Sequence, residues 1–150
     1  MIAAIRPTDW NWLLLGHIAS AMILVGGLMV VTLAALTALR KPPTAPLLQA
    51  VAFWVNLALV IPAFIAVHIF GGILSDREYD NHEPSWLNAG FAITTVATIA
   101  AIVLAALQYW VLRRARAGRA GWPAALTASL GPLLLAAMVA VIVLMAGKPS

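Results

Sequence analysis

The strongest constraint on this chain is the spacing of its charges. Four stretches carry no Asp, Glu, Lys or Arg: residues 10 to 39, 42 to 75, 84 to 112 and 120 to 147, of 30, 34, 29 and 28 residues. A helix needs about 20 apolar residues to cross the roughly 30 Å hydrocarbon core of a bilayer, so each stretch is long enough to span. A water-soluble domain carries about 25% charged residues. This chain has 9% charged and 63% hydrophobic residues in a length of 150, too few charges to coat a soluble fold. The sequence predicts a single domain over 1–150, an all-α integral membrane four-helix bundle with the bilayer as its first partner.

Turn chemistry marks the breaks. Pro42, Pro43 and Pro46 separate the first two stretches, the polar run 75–85 the next two, and Gly118, Gly121 and Pro123 the last two. Prolines and glycines end helices because of a missing N–H and extra backbone freedom. Helices are therefore expected over about 11–39, 46–73, 86–115 and 122–146. The first is too long for the apolar segment of a secretory signal and has no basic cluster before it, so it is read as a retained span.

Orientation follows from the short loops, since Lys and Arg are kept on the cytoplasmic side. Arg40 and Lys41 flank the first connection, and Arg113, Arg114, Arg116 and Arg119 the third. The second connection carries Asp76, Glu78, Asp80 and Glu83 against Arg77, a formal charge of 1 − 4 = −3. The expected topology puts both termini outside, in a bacterial-type inner membrane. Trp10, Trp12 and Trp86 would then belt the outer interface, and Tyr109, Trp110 and Trp122 the inner one.

With no cysteine in the chain, disulfides, thiolate metal sites and cysteine nucleophiles are excluded. There is no phosphate-binding glycine loop, no histidine set to activate a serine or carboxylate, and no basic and aromatic face for nucleic acid. The acidic loop with His82 between its carboxylates matches no EF-hand spacing and reads as a solvated cap or a loose cation site. Chemistry inside the bilayer rests on two histidines, His17 and His68. Ionisable side chains within a membrane mark an interior polar contact or function. At about 1.5 Å per residue, both rings are expected roughly 7 to 9 Å below the outer helix ends. Consecutive helices joined by a short loop tend to be neighbours, so the two rings can meet in one layer.

Such a pair is suited to hold one haem b by both axial positions, because neutral imidazoles add no charge to an apolar bundle, and bundle ligand sites are built from facing helices. The bland reading is a local hydrogen bond for each ring. Gly16, Ser20 and Gly27 lie near one stripe of the first helix, leaving room for a flat ligand or for close helix packing. Arg6 and Arg77 flank the outer ends and can pair with haem propionates or simply anchor the helices. Asn56 lies deep in the second helix, as a ligand contact or a hydrogen bond between helices, and Pro62 should bend that helix between Asn56 and His68.

The stretch Leu14-Leu-Gly-His-Ile-Ala-Ser-Ala-Met-Ile-Leu-Val-Gly-Gly resembles the first helix of small membrane proteins of the CopD and HemJ-type protoporphyrinogen oxidase group. The segment from Trp54-Val-Asn-Leu-Ala-Leu-Val to His68 is similar to the HemJ helix that runs from a tryptophan to a histidine. The closing Met138-Val-Ala-Val-Ile-Val-Leu-Met-Ala-Gly-Lys-Pro looks like the last helix of several of these proteins and of an uncharacterised integral membrane family beside them. The resemblance implies haem at His17 and His68. It departs where that group has basic residues: this chain reads Leu28-Met-Val-Val-Thr after the first-helix glycine and Asn56 in place of a lysine, and Leu130-Gly131 stands where Asn-Glu precedes the proline. Those losses remove the groups an oxidase would use on a charged porphyrinogen, and leave haem binding untouched.

The expectation is thus a small haem-binding membrane protein or a haem-bearing subunit of a redox complex. A cofactor-free structural or assembly subunit, packed against other membrane subunits, is the second reading. A copper-handling protein is the third; Met22, Met29, Met138 and Met145 make no ladder through the bundle, and gap-filling is their ordinary use.

Overall fold

A computed structural model describes residues 8–79, 84–118 and 122–147. The chain folds into α1 (Thr8–Arg40), α2 (Ala45–Val55), a π-helical turn (Asn56–Val60), α3 (Ile61–Tyr79), α4 (Ser85–Arg116) and α5 (Trp122–Ala146), with one 3₁₀ turn at Pro42–Thr44. Helix α2, the π-turn and α3 run on as one rod, so four rods are long and apolar enough to cross a membrane: Trp10–Arg40, Ala45–Glu78, Ser85–Arg116 and Pro123–Met145. The all-α four-helix bundle expected from the charge spacing is what the chain forms. In the bilayer core only structures that satisfy every backbone N–H and C=O internally are stable, which is why the charge-free stretches become uninterrupted helices.

Two helix ends differ from expectation. α1 starts at Thr8 rather than near 11, and α3 continues to Tyr79 rather than stopping near 73. Hydropathy marks where a helix leaves hydrocarbon, and polar residues such as Ser75, Asp76 and Glu78 can extend it into the interface without breaking its hydrogen bonds.

The rods stand at the corners of a square. α1 touches α2, α3 and α5; α4 touches α2, α3 and α5; among the described residues there is no contact between α1 and α4, or between α5 and the second rod. The interior is rich in small side chains: among the described residues nine of the 21 buried apolar residues are alanines, among them Ala35, Ala52 and Ala101, each at 0% exposure. Large apolar residues such as Met22, Leu33, Leu47, Val96 and Leu133 face outward. That distribution suits lipid, where burying Leu between helices gains little over leaving it in acyl chains and close backbone approach gives the packing energy. Gly27 shows the approach directly: a Cβ there would stand 2.8 Å from Val60 Cγ2. The central layer is Leu28, Val60, Phe64 and Leu104, all at 0% exposure.

Pro62 sits in the first turn of α3, two residues beyond the π-turn. Lacking an N–H, it cannot serve the carbonyl four residues back. The chain absorbs the defect by widening the preceding turn, with Ile61 N–H donating to the Asn56 carbonyl five residues back. π-turns of this kind are single-turn insertions in otherwise α-helical rods.

Candidate functional site

At the acidic end of the bundle a cavity of about 330 Å³ opens between α1, α3, α4 and α5. Its lining includes both histidines: His17 from α1 and His68 from α3, together with Gly71, Ser75 and Glu78 of α3, Trp86, Gly90, Phe91 and Thr94 of α4, and Met145 of α5. On α3 the lining positions 68, 71, 75 and 78 follow the 3, 4, 3 spacing of one helix face. His17 lies nine residues past Thr8 and His68 eleven before Tyr79, and both line this one cavity.

His17 packs where α3 has no side chain: a Cβ on Gly71 would lie 3.3 Å from His17 Cε1 and 3.5 Å from its Nδ1. The Val67 carbonyl lies beside the ring. The ring's Nδ1 is buried and has no hydrogen-bond partner.

His68 is anchored to its own helix and to α4. Its Nδ1 lies 3.1 Å from the Phe64 carbonyl, which can only accept, so Nδ1 carries the proton and Nε2 presents the lone pair. Nε2 accepts from Thr95 Oγ1 at 3.0 Å. The same Oγ1 stands 2.8 Å from the Phe91 carbonyl. One hydroxyl proton faces two acceptors and serves one at a time, so swinging it to Phe91 releases the His68 lone pair without leaving the hydroxyl unsatisfied. Phe91 also tilts against the His68 ring, with centroids 6.1 Å apart.

His68 therefore has one N–H tied to a backbone carbonyl and its other nitrogen on a hydroxyl, while His17 keeps a buried nitrogen without a hydrogen-bond partner. Histidines that ligate metals are held as His68 is, the carbonyl fixing the tautomer and turning the second nitrogen toward the ion. Ser75 Oγ, also on the cavity wall, is buried without a partner and can donate to a ligand. Glu78 places a carboxylate at the rim.

The other expected site residues are dispersed. Ser20 is spent on its own helix, Oγ donating to the Gly16 carbonyl at 2.7 Å, and Gly16 lies under Phe70, whose ring a Cβ would meet at 2.8 Å. The small stripe of α1 thus serves helix packing. Asn56 is twelve residues before His68, in the π-turn, and bonds across to α4. Arg77 is exposed on the last turn of α3 and does not line the cavity. Arg6 lies outside the described residues, as do Asp80, His82 and Glu83 of the acidic connection. Among the described residues no three or more His, Cys, Asp or Glu side chains cluster as a metal site.

Thr95, Gly71, Ser75 and Met145 enter the site without having been read from sequence. The α3 face was legible in principle through the spacing 68, 71, 75, 78, had the helix been carried to Tyr79. Trp86, expected in the outer aromatic belt, lines the cavity, while Trp12 is 73% exposed as a belt residue should be. No family model, curated protein or solved structure matches this chain.

Proposed function

We propose that the chain is a small membrane haem protein in which His17 and His68 hold one haem b in the acidic-end cavity, for one-electron transfer alone or as a subunit of a redox assembly. The observation that carries this reading is the pair of imidazoles from two packed helices that line one cavity, His68 anchored through Nδ1 to the Phe64 carbonyl and His17 with a buried Nδ1 that has no hydrogen-bond partner. His68 would ligate through Nε2. The haem would supply the redox couple; the bundle supplies two strong-field neutral ligands, an apolar wall and exclusion of water.

The residues fit the group with two demands. A volume of about 330 Å³ stands at the small end of ligand pockets, about 300 to 1,000 Å³, so a macrocycle enters only if Trp86, Phe91 or Met145 turns aside. Glu78 at the rim repels a propionate, whereas the Ser75 hydroxyl can donate to one. With one such histidine pair among the described residues, electrons would be exchanged at the acidic face. By the basic-residue rule that face is outward, with Arg40, Lys41 and the Arg113–Arg116 run on the cytoplasmic side of a bacterial-type inner membrane.

The test is purification in mild detergent from haem-replete cells, with absorption spectra of the oxidised and reduced protein. A Soret band with sharp reduced α and β bands, at one haem per chain and lost in both His17→Ala and His68→Ala, is the expected result. A colourless protein that co-purifies in fixed ratio with other membrane subunits overturns it in favour of a structural subunit. Stoichiometric copper without haem overturns it in favour of copper handling, with Met145 as a further sulfur ligand.

A further inference from the structure

A second polar level lies in the opposite half of the bundle and plays no part in the histidine cavity. Asn56 and Gln108 are at 0% exposure and Gln49 at 1%. Asn56 Nδ2 donates to the Ala101 carbonyl at 3.1 Å and to Gln108 Oε1 at 3.0 Å, tying the π-turn to α4. These bonds use only half of each amide. Asn56 Oδ1, Gln108 Nε2 and Gln49 Oε1 are all buried without partners. Turning either amide over does not help, because Asn56 Oδ1 would then face the Ala101 carbonyl, oxygen against oxygen. Buried polar atoms in folded proteins are almost always paired with protein or with water.

The unpaired set is mixed, one amide donor and two carbonyl acceptors. A cation is disfavoured by the NH₂ of Gln108, and an anion by the two oxygens. Water matches both, accepting from Gln108 and donating to Asn56 and Gln49. The spacing also fits. The atoms at the far ends of the two hydrogen-bonded amides, Asn56 Oδ1 and Gln108 Nε2, follow a 3.0 Å bond with about 2.2 Å added by each amide group. They are thus no more than about 7.4 Å apart, within the span of one or two waters. Gln49 lies two turns before Asn56 on the same helix face, toward the basic end. Arg114, six residues past Gln108 in the same direction, has its guanidinium over the Trp110 ring, 5.2 Å from the centroid, and its Nε buried without a hydrogen-bond partner.

We infer that this level is a hydration site: one or two waters are held inside the bundle by Asn56, Gln108 and Gln49, in continuity with the basic end. The layer of Leu28, Val60 and Phe64, each at 0% exposure, separates them from the histidine cavity. The bundle thus has a wet pocket on one side of its midplane and a ligand cavity on the other. This inference stands whether or not haem is bound.

Gln49 and Gln108 are the only glutamines in the chain, so selective ¹⁵N-glutamine labelling reports this level alone. In water-edited solid-state NMR of the full chain in bilayers, the Gln108 side-chain NH₂ should receive water magnetisation several-fold faster than its own helix-bonded backbone amide. Gln49→Leu assigns the two side chains, and Asn56→Leu should slow the transfer at Gln108. Side-chain transfer no faster than backbone transfer in the unmutated protein overturns the inference, and that comparison needs no variant to fold.

Discussion

His17 and His68 are held to different degrees, and the difference sets what each can do. His17 has a buried nitrogen with no hydrogen-bond partner; His68 has a lone pair that a threonine hydroxyl engages. Thr95→Val removes that hydroxyl and keeps the shape of the side chain. A hydrogen bond between membrane helices is worth about 0.6 kcal/mol on average, so thermal unfolding in detergent should show a loss of roughly 0.5 to 1 kcal/mol. Haem content should be equal to the unmutated protein or higher, because the Nε2 lone pair no longer has a rival. A fall in haem content would mean that Thr95 positions His68 for its ligand rather than merely occupying it. That two histidines share a layer was legible in the sequence, from counting residues to the helix ends. The anchoring of His68 was not, because Phe64 acts through a backbone carbonyl that any residue supplies.

The second rod shows what a proline does when the helix cannot afford to break. Asn56, at the start of the π-turn, and His68, two turns beyond it, both face α4, and the turn keeps those faces in register by accommodating one extra residue. Removing one residue from an ordinary α-helix rotates everything beyond it by about 100°. Deleting Ala58 together with Pro62→Ala should convert the π-turn to α-helix with the register preserved, and the protein should elute as a single monodisperse peak on size exclusion. Deleting Ile99 from the regular helix α4 should abolish that peak. Equal behaviour of the two deletions would show that the π-turn does not carry the register. The sequence showed Pro62 and its position ahead of His68; it did not show the widened turn, since tertiary contacts on both sides of the proline select it over a simple bend.

The molecule as a whole reverses the soluble pattern, with alanine and glycine inside and large apolar side chains outside. That reversal follows from charge spacing alone, which is why the four-span architecture was the most legible feature of the chain. Helix ends in the interface were less so, because residues such as Ser75 and Glu78 are equally at home in a loop and in the last turns of a helix. The proposed orientation has a direct check in a chain without cysteine. Ser85→Cys at the acidic end should react with an impermeant maleimide in intact spheroplasts, and Thr44→Cys at the basic end only after permeabilisation. The reverse pattern would invert the topology while leaving the histidine cavity as it is. The central claim, that two imidazoles grip one iron, is tested most directly by electron paramagnetic resonance of the ferric protein loaded with haem. A low-spin signal that becomes high-spin, or disappears with the haem, in each of His17→Ala and His68→Ala is the predicted result; no bound haem, or a low-spin signal unchanged in either variant, would contradict it.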